Sequence, residues 1–237
     1  MDIKLKNNEL LYKIIVAITL VTIGVVSRIL LQSISAGPIT INNVTFPLDV
    51  FFVVAAVSIF SGVLLGKYYT FIVPVCVIAI TDIYLIAINP ATAQYWTTFL
   101  FLFTWSGYAV IALLGFVTKR KAEFNRMFLP KILGASVLGI FFFDIWANFG
   151  FWLGYSKLGV YPQTIEGLAT VYIGGIPTML WHLLSATIAI IAVTVTLTYL
   201  KKHELINKSL AIRPLEKYVI ASATVILMTA SILTALF

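Results

Sequence analysis

A chain of 237 residues that is 61% hydrophobic and only 11% charged, with a mean hydropathy of +1.03, cannot cover a water-facing surface; soluble domains carry roughly 25% charged residues. The composition therefore excludes a soluble globular domain, and the net charge of +7 must be explained by where the basic residues fall rather than by nucleic acid. One cysteine, Cys76, inside an apolar run leaves no disulfide framework and no thiolate metal cluster.

Apolar runs long enough to cross a bilayer occupy roughly 10–31, 48–66, 68–88, 97–118, 131–153, 171–200 and 216–237. The expected architecture is an all-α integral membrane protein, a single transmembrane domain over 1–237. It comprises six helices within 10–200 and a seventh at 216–237. Span 1 has basic flanks and is followed by Ser33-Ile34-Ser35-Ala36, the ingredients of a cleaved signal peptide. Its apolar region exceeds the usual roughly 7–15 residues, so it reads as a retained span. Spans 2 and 3 are separated by little more than Gly66-Lys67, a tight hairpin.

The basic residues alternate with the spans. Three precede or edge span 1 (Lys4, Lys6, Lys13), and Lys67 lies in the 2–3 turn. Five lie between spans 4 and 5 (Lys119, Arg120, Lys121, Arg126, Lys131) and five between spans 6 and 7 (Lys201, Lys202, Lys208, Arg213, Lys217). Only Arg28 and Lys157 of the 16 fall at the opposite ends. By the positive-inside rule the N-terminus is cytoplasmic and the C-terminus outside, in a multi-pass protein of the cell membrane.

Under that orientation Asp2, Glu9, Glu123, Glu204 and Glu216 are cytoplasmic and lie among basic residues, as solubilising charges do. Asp49, Asp82, Asp144 and Glu166 fall toward the outer half. Asp49 opens span 2, where a carboxylate caps a helix start. Asp82 and Asp144 lie too deep for capping. Each is expected either to pair with Arg28 or His182 or to meet a ligand. Asp144, Asn148 and Trp152 stand at i, i+4 and i+8, on one helical face. His182 in span 6 carries Thr178 and Ser185 on its own face, and is read either as an inter-helix hydrogen-bonding residue or as a ligand contact. Aromatics such as Trp105, Tyr108, Tyr161 and Trp181 crowd the same half, though aromatic belts form at interfaces anyway. No inner half of any span holds an acid, which favours a pocket entered from outside over a through-channel.

Several chemistries lack their residues. Walker A, HExxH and Gly-x-Ser-x-Gly patterns are absent from the sequence, and no Lys lies inside span 7 for a Schiff base. Two histidines and scattered acids make no metal constellation, and no cofactor is implied. Asn43-Val44-Thr45 is a glycosylation sequon of a kind common by chance.

The stretch Phe141–Pro177 resembles a family of small bacterial and archaeal membrane proteins. The residues that carry the likeness are Phe142-Phe143, Asn148-Phe149-Gly150-Phe151-Trp152-Leu153, the run from Tyr161-Pro162 through Thr164 to Gly167-Leu168, then Tyr172 and Pro177. Val73-Pro74 followed by Thr81-Asp82 adds to it. That family looks like the substrate-binding S components of energy-coupling-factor (ECF) transporters. The resemblance implies a six-helix core with a solute site near the outer face, working with a transmembrane coupling subunit and an ATPase pair. The seventh span departs from that pattern.

The expected function is uptake of a small solute, a vitamin or other micronutrient, by a non-enzymatic binding subunit. Asp82, Asp144, Asn148 and His182 would supply polar contacts and Trp152 and Tyr161 the walls. The rival readings are a stand-alone proton-coupled carrier titrating Asp82 and Asp144, an intramembrane enzyme using His182 and an Asp, and a structural or assembly subunit without ligand.

Overall fold

Six helices and one short hairpin account for the computed structural model, which describes residues 2–32, 39–41, 44–46, 52–66, 68–88, 100–119 and 127–202. Helix α1 (Asp2–Gln32) is followed by strands β1 (Ile39–Ile41) and β2 (Val44–Phe46), antiparallel with Thr40 opposite Thr45. Helix α2 (Val53–Phe60) runs on into a π-helical turn, Ser61–Leu65. Then come α3 (Tyr69–Ile88), α4 (Leu100–Lys119), α5 (Phe128–Lys157) and α6 (Ile165–Lys202).

Five of these helices hold an apolar stretch long enough to cross a bilayer, with mean hydropathies from 1.8 to 2.5. Their outward faces are apolar and bare. Ile18, Ile83, Leu138 and Ile188 are each more than 60% exposed, an arrangement that is unfavourable in water and natural in lipid. The helices follow six of the seven expected spans; the seventh, at 216–237, lies outside the described residues, as does Asp49.

Two expectations shift. The second span was expected over 48–66, yet α2 and its π turn cover only Val53–Leu65, about 20 Å against about 30 Å of hydrocarbon. It is a core helix. Val54 through Gly62 are all buried, and the helix packs against each of the other five, as a helix that is apolar all round must. The second shift is at the α5–α6 connection, where both helices continue past their apolar runs. Gly159, at φ +73°, ends α5, with its N–H donating to Ser156 O and that of Val160 to Tyr155 O. Thr164 opens α6 by accepting the Gly167 N–H at 3.3 Å.

Neighbours in sequence make the largest contacts, α4 with α5 and α5 with α6. Trp146 Nε1 donates to Ser106 Oγ at 2.7 Å across the first of these. Helix α1 is peripheral and rests on α3 and α2. The tightest approach joins the π turn to α4. A side chain at Gly62 would strike the Ala112 carbonyl, and one at Gly115 would strike the Ile59 carbonyl. Backbone cannot yield as a side chain does, so Gly115→Ala should destabilise the fold by about 1–3 kcal/mol or more. Gly134→Ala, with open space around it, should be neutral or slightly stabilising. Reversible unfolding in mixed detergent micelles compares the two, and equal stabilities would refute the close α2–α4 contact.

Candidate functional site

Helix α5 carries Asp144 and α6 carries His182, and the two meet at 2.7 Å between Oδ1 and Nδ1, with 6% and 7% of their side chains exposed. Three aromatic rings close around them. Phe52, the residue before α2, stacks on the imidazole with centroids 4.2 Å apart and planes 19° from parallel. Phe143 meets the imidazole edge-on at 6.2 Å. Tyr108 of α4 packs on both phenylalanines, at 5.3 and 4.7 Å.

The start of α2 is fixed here by a hydrogen bond. The Phe52 N–H donates to Ser185 Oγ at 3.0 Å, and Ser185 in turn donates to the His182 carbonyl at 3.3 Å. The positive end of the central helix therefore lies beside the acid–imidazole pair, about midway along α6. The other carboxylate oxygen, Asp144 Oδ2, is fully buried and has no hydrogen-bond partner among the described residues. An unsatisfied buried polar atom destabilises by about 1–3 kcal/mol, more when charged. The oxygen calls for a donor.

The expected stripe on α5 exists, and each member has a partner. Asn148 donates from Nδ2 to the Asp144 carbonyl at 2.8 Å, and its amide lies so close to Gly175 of α6 that a Cβ there would come within 2.7 Å of Nδ2. Trp152 donates from Nε1 to Pro162 O at 3.1 Å. Tyr161, in the same loop, packs on Phe151 at 5.9 Å. Burial holds the Tyr161 hydroxyl above its ordinary value of 10, so it remains a neutral donor at physiological pH.

Asp82 stands in a separate cluster. Arg28 Nη1 reaches its Oδ1 at 2.8 Å and also donates to Thr81 Oγ1, while Trp105 Nε1 donates to Oδ2 at 3.3 Å. Both carboxylate oxygens are satisfied, and the pair ties α1 and α4 to α3. Of the six expected site residues, then, Asp144, Asn148 and His182 come together, Trp152 and Tyr161 follow toward the α5–α6 loop, and Asp82 sits with Arg28.

A cavity of about 250 Å³ lies between α3 and α4, bounded by Phe71, Pro74, Ile78, Trp105 and Tyr108 among others. Trp105 joins its wall to the Asp82 cluster and Tyr108 joins it to the aromatic box. Among the described residues no three His, Cys, Asp or Glu side chains converge as a metal site would require. Sequence reasoning missed Phe52, which nothing separates from the other phenylalanines of a chain holding 17, and marked Phe143 only as part of a family likeness, without a place in the site.

The chain belongs to DUF6580, a family of unknown function. The DUF6580 model matches residues 8–209, which takes in five helices whole and α1 from its seventh residue, and leaves 216–237 outside. No curated protein and no solved structure matches the chain.

The Asp82 cluster makes a stability prediction. Arg28→Met leaves a buried carboxylate without its cation and should destabilise by about 3–5 kcal/mol, whereas Arg28→Met with Asp82→Leu should recover most of that loss. A double variant no more stable than the single one in the same unfolding assay would contradict the pairing.

Proposed function

We propose that this chain is a membrane-embedded binding subunit for a small solute, similar in role to the S component of an ECF transporter. It would deliver the solute to a separate coupling subunit and ATPase pair. The observation that carries the reading is Asp144 Oδ2, a buried acceptor without a donor among the described residues, inside a box of aromatic rings at the N-terminal end of a buried half-length helix. Membrane transporters place solute sites at short or broken helices near the bilayer midplane, and here the positive end of that helix faces the Asp144 carboxylate rather than the ligand. A carboxylate flanked by aromatic faces suits a small planar or cationic molecule.

The distribution of basic residues supports a cytoplasmic N-terminus. That orientation turns Asn148, Trp152 and Tyr161 toward the outside, as the approach to the site. An apolar 216–237 segment would then cross as a seventh span beyond the family core.

Native mass spectrometry of the chain released gently from its own membrane tests the reading. A small molecule should remain bound to the wild type and be lost from Asp144→Asn, with both chains folded. A wild type that carries nothing, or an Asn variant that carries the solute equally well, sinks the proposal.

A stand-alone proton-coupled carrier is the second reading, favoured by an acid–imidazole pair able to hold a proton inside the bundle. Liposomes containing this chain alone would then accumulate the solute under a pH gradient, and an S-like subunit would not. A bare chain that co-purifies with another membrane protein would instead favour an assembly role.

A further inference from the structure

The two buried acids differ in one respect that decides what each can exchange. Asp82 is neutralised by Arg28, whose guanidinium stays protonated at any physiological pH. Asp144 is instead paired with an imidazole, the one side chain whose ordinary protonation equilibrium lies near neutrality.

The groups facing the Asp144–His182 pair can be named element by element. Residues 52–66 of α2 and its turns contain no ionisable side chain. Helix α4 presents Tyr108 across the phenylalanine rings. Helix α6 adds Tyr172, whose hydroxyl donates to the Ile145 carbonyl at 3.2 Å. Helix α3 carries one charged residue, Asp82, and it is paired with Arg28 of α1. Lys13 lies 15 residues before Arg28, about 22 Å along α1.

Within this apolar setting a net charge is strongly disfavoured. Among the described residues only two states of the site carry none. In one, the pair holds a proton, shared between imidazole and carboxylate. In the other, the imidazole is neutral and a foreign monocation occupies Asp144 Oδ2. The face of Phe52 over the imidazole adds to the first state, because an aromatic face attracts an imidazolium. The unpartnered oxygen adds to the second, because it can accept an N–H from an ammonium or a protonated ring nitrogen.

We propose that the Asp144–His182 pair is an exchange site, at which an organic monocation bearing an N–H donor displaces one proton. Charge balances: the cation enters, the proton leaves from the imidazole, and the site stays neutral throughout. This rests on the solute-binding reading only for the natural cation, since the exchange itself is measurable with a simple probe.

The chain has two histidines, so His203→Gln leaves His182 as the sole imidazole. In that background, in lipid nanodiscs, the ¹⁵N resonances of His182 are followed from about pH 5 to pH 9, a range that brackets imidazole titration. Methylammonium is the probe and tetramethylammonium, which has no N–H, the control. One proton should titrate. Methylammonium at ten times its half-saturating concentration should lower the midpoint by about one pH unit, and tetramethylammonium should leave it in place. Asp144→Asn should abolish the shift; if that variant does not fold, the contrast between the two cations carries the test.

An imidazole that does not titrate, or a midpoint indifferent to methylammonium, overturns the proposal. The two readings fail separately. A chain that retains a solute from its membrane but shows no shift loses the exchange site alone. A chain that shows the shift but retains nothing loses the subunit reading alone.

Discussion

Inside a bilayer a carboxylate must find its counterpart within the protein, because the lipid offers neither water nor hydrogen bonds. Two aspartates set that condition for this chain, and the helix arrangement meets it twice. Asp82 draws Arg28 from α1 and Trp105 from α4 onto α3, fixing the peripheral α1 against the bundle. Asp144 draws His182 and so locks α5 to α6 at a defined height. Through Ser185, the same height fixes where the central helix begins. The first pair is complete in its hydrogen bonding and acts as a clamp. The second is one bond short among the described residues, at Asp144 Oδ2.

The central helix gives the second pair its surroundings. Because α2 is short, apolar and buried, it brings no ionisable side chain to Asp144, and Phe52, the residue before it, supplies the ring that lies on His182. The glycines at 62 and 115 let α2 sit close enough to α4 for Tyr108 to reach the same box. Packing in the half of the bundle away from the pair therefore sets the geometry at the pair. A distant glycine can in this way bear on the Asp144–His182 pair without touching it.

Much of this was legible in the sequence, for identifiable reasons. Five long helices follow from hydropathy alone, and the i, i+4, i+8 spacing correctly placed Asp144, Asn148 and Trp152 on one face. The sequence also limited the partners of the two acids to Arg28 and His182. It did not assign them, since that depends on α1 lying beside α3 and α5 beside α6. The length of α2 was hidden, because a run of apolar residues reads the same whether it crosses lipid or fills a core. The aromatic box was hidden as well. In a chain with 17 phenylalanines, only three-dimensional contact distinguishes Phe52 from those that face lipid, and only contact turns the Phe142-Phe143 likeness into a wall of the box. The polar turns extending α5 and α6 beyond their apolar runs carry no hydropathy signal. Only the cap chemistry of Gly159 and Thr164 marks them.

If Asp144 Oδ2 takes its donor from outside the chain, a solved structure of the protein isolated from its native membrane, at a resolution that shows small molecules, will hold non-protein density there. That density should place a nitrogen within about 3.2 Å of the oxygen, bounded by Phe52 and Phe143. An oxygen already satisfied by a donor of this chain, in dry and closed packing, would contradict it.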